Sequence, residues 1–463
     1  MSLQLRPYQS TAVAEIRAAL ARGHRSVLFV LPTGGGKTVV FSHIAEQAAA
    51  KGNRICILVH RVELLEQAST SLRGLGVRHG LIAANRSMDL SAPVQVASVA
   101  TLARRLHRLP ADLFQLLVVD EAHHSNAGTW AKVLAHFASA RVLGVTATPV
   151  RGDGRGLGEW YGEMVLGPSP AWLTEQGYLA PARVFAPPGF SAEGLRRRMG
   201  DFDMGQAAEA MARPTITGGV LAHYRQHLDG RTAIAFCCSV AHAEAVARLF
   251  AEHGVPAASI DGTMDAATRR RLLEQLSTGA LKVLTSCALI GEGVDVPSVG
   301  GCILLRPTQS EALHLQMIGR CLRPQDGKTA VILDHVGNCG RLGHHLDDRT
   351  WTLDGVRKRQ REAAPSVRVC PACFAAASSR VSTCPECGHQ FAPQRRELEH
   401  VEGQLAEIER STAARERARE QGQARTLQDL IALGRRRQMR DPLSWARYVL
   451  AARQRKGQWR RVG

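Results

Sequence analysis

Apolar residues in this chain gather in short, nearly unbroken runs separated by stretches of helical spacing. Val27-Leu28-Phe29-Val30-Leu31, Ile55-Cys56-Ile57-Leu58-Val59, Leu116-Leu117-Val118-Val119 and Arg141-Val142-Leu143-Gly144-Val145 read as strands buried on both faces, and Val94-Gln95-Val96-Ala97-Ser98 as a further one. Helical spacing predicts a helix over Thr11–Ala21, another running from Val39 through Ala45, and a third over Val62–Leu72. From about Arg151 to Arg213 the pattern loosens. Gly152, Gly154, Gly156 and Gly158, then Pro168, Pro170, Pro181, Pro187 and Pro188, predict connecting structure, with Arg196-Arg197-Arg198 as an exposed face. Alternation then resumes, with strands at 233–236, 258–260, 282–286, 302–305 and 330–333 and helices over Val240–His253 and Ala266–Ser277. Strand and helix in turn predict an α/β fold with parallel sheets in two successive halves.

The polar clusters punctuate this pattern at strand ends, which in an open parallel sheet form the ligand crevice. Pro32-Thr33-Gly34-Gly35-Gly36-Lys37-Thr38 stands between the first strand and a helix. That is the setting a phosphate loop needs: backbone N–H groups nest phosphate oxygens and the helix N-terminus adds partial positive charge. Lys37 would reach the outer phosphates and Thr38 would hold Mg²⁺. The generic loop has a glycine where Leu31 stands. Asp120-Glu121-Ala122-His123 ends the fourth strand; Asp120 suits a magnesium ligand and Glu121 a group that orients or deprotonates attacking water. Upstream, Arg6-Pro7-Tyr8-Gln9 alone is a helix start, but beside a phosphate loop Gln9 can read an adenine edge with its donor and acceptor. In the second half, Gln316, Arg320 and Arg323 are spaced to share one helical face, and arginines from a second domain can stabilise charge on a phosphate held by the first.

Composition adds a partner. With 59 basic and 41 acidic residues the net charge is +18, which points to a polyanion such as nucleic acid. Aromatic residues are only 5% of the chain, so its cores are aliphatic. The lack of an apolar run long enough for a bilayer, and of a signal-peptide pattern at Met1-Ser2-Leu3-Gln4-Leu5-Arg6, predicts a cytoplasmic protein with no membrane partner. Seven scattered cysteines then read as core thiols.

The ordered set Arg-Pro-Tyr-Gln, Pro-Thr-Gly-Gly-Gly-Lys-Thr, His60-Arg61, Asp-Glu-Ala-His, Thr146-Ala147-Thr148-Pro149, Gly291-Glu292-Gly293-Val294-Asp295 and Gln316-x-x-Gly319-Arg320-x-x-Arg323 resembles the superfamily-2 DEAD/DEAH-box helicases. It spans about Leu5 to Arg323. The resemblance implies two tandem RecA-like domains with ATP in the cleft between them and nucleic acid running across both; the family also lacks the first loop glycine. It implies catalytic roles for Lys37, Asp120, Glu121, Arg320 and Arg323, and ATP contacts at Arg6, Gln9, Thr33, Gly34, Gly35, Gly36, Lys37, Thr38, Asp120, Gly293 and Asp295, with Mg²⁺ on Thr38 and Asp120. His123, Thr146 and Thr148 resemble the elements that couple hydrolysis to domain movement. Cys287 stands where many members carry threonine. Asp-Glu-Ala-His-His, Ala-Thr-Pro-Val-Arg-Gly-Asp-Gly, Ile-Leu-Asp-His-Val-Gly-Asn and a following four-cysteine module narrow the resemblance to bacterial and prophage RadD-like DNA helicases, which implies repair, recombination or prophage DNA metabolism.

That module is Cys370-Pro371-Ala372-Cys373 and Cys384-Pro385-Glu386-Cys387, the spacing of a closed four-thiolate Zn²⁺ site of zinc-ribbon type; redox pairs are the rival. Leu398, Val401, Leu405 and Ile408 recur at helical spacing, and a basic tail follows in which Trp445, Tyr448, Val449 and Ala452 form an apolar stripe and Trp459 suits base stacking. The expected domains are residues 1–185 and 186–350, both RecA-like, then 366–392, the zinc module, and 393–463, a helical basic tail. The function expected is an ATP-dependent helicase or translocase acting on DNA. The alternatives are an RNA helicase of the same fold, or a DNA-binding scaffold switched by ATP without unwinding; the tail could also recruit a protein partner.

From Arg425 to the end, eleven basic residues face Asp429 and Asp441, a net charge of +9. Ending the chain near Ala424 is expected to weaken DNA binding and to flatten its salt dependence, by roughly 0.7 to 0.9 in log–log slope for each phosphate no longer neutralised. Maximal ATPase at saturating DNA should survive. Binding measured at several salt concentrations, beside a melting curve, checks this; an unchanged slope with a lowered melting temperature would assign the tail to packing instead.

Overall fold

In the computed structural model the described residues are 4–354 and 367–391, apart from 85, 125–127, 152–154, 187–191, 193, 199, 212–213, 288–298 and 380; in the tail they are 420, 423–424, 426–437, 441–447 and 449–450. Gly293, Asp295, Ala452 and Trp459, and the apolar repeat from Leu398 to Ile408, lie outside them. The chain separates into two compact units, residues 1–391 and 392–463.

The first half is α1 (Pro7–Ala21), β1 (Ser26–Val30), α2 (Lys37–Ala50), β2 (Ile55–Val59), α3 (Val62–Gly74), β3 (His79–Ile82), β4 (Val94–Ser98), α4 (Val99–Arg105), β5 (Leu116–Asp120), α5 (Gly128–His136), β6 (Arg141–Thr146) and β7 (Glu163–Leu166). Its seven strands pair in the order β3-β4-β2-β5-β6-β1-β7, every pair parallel. Strands apolar at every position are what this arrangement needs: β1, β2 and β5 are buried almost throughout. One layer packs helices α1, α2 and α3 on one face; Trp130, Phe137 and Phe114 fill the other. Gly144 in β6 leaves room for Tyr161, whose ring would lie 2.4 Å from a Cβ at that position.

The second half is α6 (Pro170–Glu175), β8 (Ala182–Phe185), the short hairpin β9 (Arg197–Arg198) and β10 (Asp201–Phe202), α7 (Met204–Met211), α8 (Pro214–His227), β11 (Ala233–Cys237), α9 (Val240–Glu252), β12 (Ala257–Ile260), α10 (Ala266–Thr278), β13 (Val283–Ser286), β14 (Gly301–Leu305), α11 (Glu311–Ile318), β15 (Ala330–Asp334) and α12 (Asn338–Leu342). Its six strands run β12-β13-β11-β14-β15-β8, again all parallel. Two expectations need correction here. The region from Arg151 to Arg213 is not only connecting structure: it contributes β7 to the first sheet and β8 to the second. Both strands are short edges hemmed by glycines and prolines, which hides them from a periodicity reading. The domain boundary expected after residue 185 therefore falls on the wrong side of β8, which pairs with β15 from Ala182↔Ala330 to Leu333↔Phe185.

After the second sheet, β16 (Val367–Val369) and β17 (Ala376–Ser378) form an antiparallel pair that carries the cysteine module. The module docks on β8. Phe185 bridges to Ala375, Ala186 N–H donates to the Phe374 carbonyl at 2.9 Å, and Arg183 pairs with Glu386. In the second unit, α13 (Leu427–Arg436) is closed by a reciprocal cap between Thr426 and Asp429, and Leu430, Ala446 and Val449 form a small core with Trp445 packed beside it. Trp445 thus serves packing within the tail.

Candidate nucleotide site between two parallel sheets

Three adjacent strands deliver the first sheet's contribution. β1 ends in the glycine loop, β5 in Asp120, and β6, which lies between them, in Thr146. The loop turns through positive φ at Gly34 (87°) and Gly36 (88°), so side chains there would be strained as well as crowded. Gly36 closes on Gln9, whose Nε2 would lie 2.5 Å from an added Cβ. Leu31, the departure from the generic loop, is fully buried and tucked under Gly35. It fills the space that the missing glycine would leave.

Gln9 is committed to this loop. Its Oε1 accepts from the Arg6 N–H at 2.9 Å, and its Nε2 donates to the Gly35 carbonyl at 3.3 Å. Tyr8 OH donates to the same carbonyl at 2.7 Å. Tyr8 also belongs to an aromatic wall, 5.0 Å from Tyr178 and 6.0 Å from Trp172 between ring centroids, with the Arg6 guanidinium 4.8 Å over Tyr178. Sequence reasoning missed this wall. Tyr8 could have been found from its place beside Gln9; Trp172 and Tyr178 fall in the region that reads as connection and carry no signal.

Lys37 Nζ donates to the Leu31 carbonyl at 3.2 Å. Burial lowers its pKa. The Glu121 and Asp120 carboxylates oppose that shift, and Arg320 and Arg323 reinforce it. The five ionisable residues singled out from sequence therefore share one electrostatic neighbourhood, with three cations and two carboxylates. Burial likewise pulls Arg323 down to about 10, which leaves it charged at neutral pH.

Asp120 and Glu121 are both buried. Glu121 has φ 49°, a left-handed conformation that costs a non-glycine residue about 1 kcal/mol or more. Its N–H donates to Asp120 Oδ1 at 3.0 Å. The next link is His123. The Thr146 hydroxyl donates to the Thr148 carbonyl (2.9 Å) and accepts from the Thr148 N–H (3.2 Å), so a lone pair is left to face His123 Nδ1 at 3.1 Å. That places the histidine proton on Nδ1, which also lies 3.4 Å from Glu121 Oε2. One imidazole N–H thus ties the carboxylate strand to the end of its neighbour.

The second sheet reaches this site through the segment after α11. The helix ends at Ile318 with Gly319 as its cap, so Arg320 and Arg323 stand in the following turn and not on a shared helical face with Gln316. Pro324 keeps Arg323 from resuming the helix, because the residue before a proline is pushed out of helical geometry. The turn lies against the glycine loop: a Cβ on Gly319 would be 2.5 Å from Thr33 Cβ. Ala180 N–H donates to the Leu322 carbonyl at 2.8 Å, and Leu179 packs over Gly34. Arg320 is buried at this junction. Cys287, at the end of β13, points its thiol at the Cys238 carbonyl at 3.4 Å, and burial raises its pKa, so it is a protonated bridge between neighbouring strands.

The four cysteines of the module also converge. All their Sγ atoms lie within 4.8 Å of one another, with Cys370–Cys387 at 3.6 Å and Cys373–Cys384 at 3.7 Å. A tetrahedral ion with Zn–S bonds of about 2.3 Å sets sulfurs ~3.8 Å apart, so the donor set fits. The two knuckles match in backbone as well: the residue after each second cysteine, Phe374 (φ 59°) and Gly388 (φ 74°), is left-handed.

A phosphate loop, a buried carboxylate pair and arginines delivered from a second parallel sheet define a nucleotide-driven two-domain motor. Family models agree in position: "Type III restriction enzyme, res subunit" matches residues 2–151 and "Helicase conserved C-terminal domain" matches residues 219–325. The chain is 33% identical over 384 residues to a 51.5 kDa protein of a Lactococcus phage, covering 82% of this chain and 81% of that one. It is 29% identical over 355 residues to IRC3 of Saccharomyces cerevisiae, provisionally described as an ATP-dependent helicase, covering 72% of this chain and about half (51%) of that one. Among solved structures, the ATP-dependent Type ISP restriction-modification enzyme LlaBIII bound to DNA shares the fold (TM-score 0.55, 18% identity, 73% of this chain and 28% of that one). The chain belongs to the superfamily-2 helicases and is an ATP-hydrolysing enzyme.

The contact of Gly319 with Thr33 makes a prediction. Gly319→Ala forces the turn away from the loop, so turnover at saturating ATP should fall, by up to about 100-fold for an ångström of displacement. Affinity for nucleotide should change little, since the loop itself is intact. Steady-state ATPase beside equilibrium binding of a fluorescent nucleotide checks the split.

Proposed function

We propose that this protein is an ATP-driven translocase or helicase that acts on DNA. The observation that carries the reading is the meeting of Lys37, Asp120 and Glu121 from one sheet with Arg320 and Arg323 from the other. In this reading the glycine loop from Thr33 to Gly36, with Lys37, holds the phosphates, and the aromatic wall with Arg6 and Gln9 flanks the base. Thr38 and Asp120 would hold Mg²⁺, which supplies charge neutralisation on the outer phosphates. Glu121 takes a proton from the attacking water, while its own N–H, set by the left-handed backbone, holds the Asp120 carboxylate. Arg320 and Arg323 meet the charge that develops on the transferred phosphate. Because they ride on the turn that touches Thr33, their position depends on how closely the two sheets approach. The His123–Thr146 link lets a change at Glu121 reach the neighbouring strand end. Gly293 and Asp295 complete the nucleotide contacts on the reading from sequence.

DNA is favoured over RNA as the polymer. The net charge of +18 suits either, but one matching family model is described as a type III restriction enzyme res subunit, and the four-cysteine module follows the second domain as in the RadD-like DNA helicases that the sequence resembles. The matching spacing of the two knuckles supports one structural Zn²⁺ on Cys370, Cys373, Cys384 and Cys387, a closed site with no open position for catalysis. No described helix is long and apolar enough to cross a membrane. With all eleven cysteines as free thiols or grouped for metal, a cytoplasmic setting fits.

Comparing ATPase stimulation by single-stranded, forked and duplex DNA and by RNA tests the polymer; stimulation by RNA alone would reverse the choice. Glu121→Gln should still bind ATP, while stimulated turnover drops by about 10²- to 10⁴-fold. Normal turnover in that variant would remove Glu121 from the chemistry. Metal analysis of freshly purified, reduced protein should find one zinc per chain. Cys384→Ser should lose it and lower the unfolding temperature while nucleotide binding persists, because the module docks on the second sheet, away from the glycine loop.

A further inference from the structure

Adjoining the nucleotide site, with Thr33 and Gly319 on the shared edge but none of Gln9, Lys37, Asp120, Glu121, Arg320 or Arg323 on its lining, is a cavity of about 250 Å³ between the two sheets. Val30, Leu166 and Leu179 wall it on one side and Leu315, Ile318 and Leu322 on the other. Its closing wall is the strap that follows α12. That strap begins beside the second sheet, where Arg349 pairs with Glu311 at the start of α11. It ends on the first, where the Leu353 carbonyl accepts from the Gly158 N–H at 2.9 Å and Trp351 packs near Tyr161. The strap carries His345 into the cavity. His345 is only 3% exposed, and among the described residues neither ring nitrogen has a hydrogen-bond partner. A buried polar group with nothing to bond costs stability, so such a group in a roomy apolar cavity marks a place for something that bonds to it.

We propose that this cavity is a binding site for a small, uncharged, planar heteroaromatic molecule that carries one ring donor and one ring acceptor, either of which can bond to the His345 nitrogen facing the cavity. Size supports the class: an apolar cavity of roughly 150 Å³ admits benzene, so this one has room for a fused bicyclic ring. Chemistry supports it too. Burial, with the neighbouring His344, His314 and Arg349 adding to it, holds the imidazole neutral, and a neutral imidazole presents one N–H and one lone pair. The aliphatic walls and Trp351 favour a flat apolar body; on the lining the Asp347 and Asp348 carboxylates outnumber the Arg349 guanidinium, which is already paired with Glu311, and so disfavour an anion. The nucleotide's phosphates are therefore unsuited to it. Because the two long walls belong to different sheets, an occupant is sensitive to the spacing between them.

Benzimidazole has this size and this pairing of ring donor and acceptor, and serves as the probe. Saturation-transfer NMR on the full chain should show it bound. Leu166→Trp, at a rim position 49% exposed and so tolerant of a larger side chain, should fill the mouth and abolish the signal. His345→Phe should weaken binding about tenfold by removing the polar partner, and melting curves with nucleotide binding establish that each variant is folded. Adding a non-hydrolysable ATP analogue with Mg²⁺ should shift the apparent dissociation constant of benzimidazole to a plateau, as for two coupled sites. The inference is overturned by any of three results: no transfer to the wild-type chain, displacement by the analogue that continues without a plateau, or equal binding in wild type and folded Leu166→Trp. None of these depends on ATPase activity, so the motor reading stands or falls separately.

Discussion

The whole arrangement depends on a close backbone approach between two sheets that share no strand. Thr33 and Gly319 meet where only a glycine fits, and everything charged in the site is hung from one or other side of that contact. The glycine loop cannot carry arginines of its own without crowding the phosphates. The turn after α11 can supply them only if it comes within van der Waals distance. A missing Cβ makes that distance available, and the Ala180–Leu322 hydrogen bond and the packing of Leu179 over Gly34 keep the two surfaces in register. Packed surfaces are bistable more than elastic, so a small change at the loop is passed on as a change in how the sheets meet.

Local strain is spent on the same site. Glu121 occupies a backbone region that most residues avoid, and the structure holds it there through the Asp120 carboxylate on one side and the His123 imidazole on the other. The threonine at the end of β6 then fixes which nitrogen of that imidazole bears its proton. A carboxylate, a histidine and a hydroxyl thus stand together at two adjacent strand ends.

Much of this was legible in the sequence because the chemistry sits at the ends of long apolar runs. β1, β2, β5, β11 and β15 could be placed to within a residue or two, and with them the loop, the carboxylates and the two-sheet plan. What escaped was short or set by tertiary contact. β7 and β8 lie in glycine- and proline-rich sequence and gain their strand character from the neighbours they pair with. Spacing puts Arg320 and Arg323 on a helix that in the structure ends at Ile318, yet the turn that follows brings them to the loop all the same. The aromatic wall of Tyr8, Trp172 and Tyr178 joins residues far apart in the chain, and no local pattern predicts such a meeting. The burial of His345 was invisible for the same reason.

The place of β8 bears on how the protein is made. β8 and β15 are parallel, and each pair of residues that must meet, such as Ala182 and Ala330, lies 330 − 182 = 148 positions apart in the chain. On a ribosome the edge strand of the second sheet emerges before any other strand of that sheet and waits through the synthesis of all of them. A waiting strand with unpaired backbone is an invitation to mispairing. Its outer side is then covered by the cysteine module, which is synthesised later still. The edge of the second sheet thus stays unpaired until β15 has been made, and its outer side stays uncovered until the segment that holds the four thiols has followed.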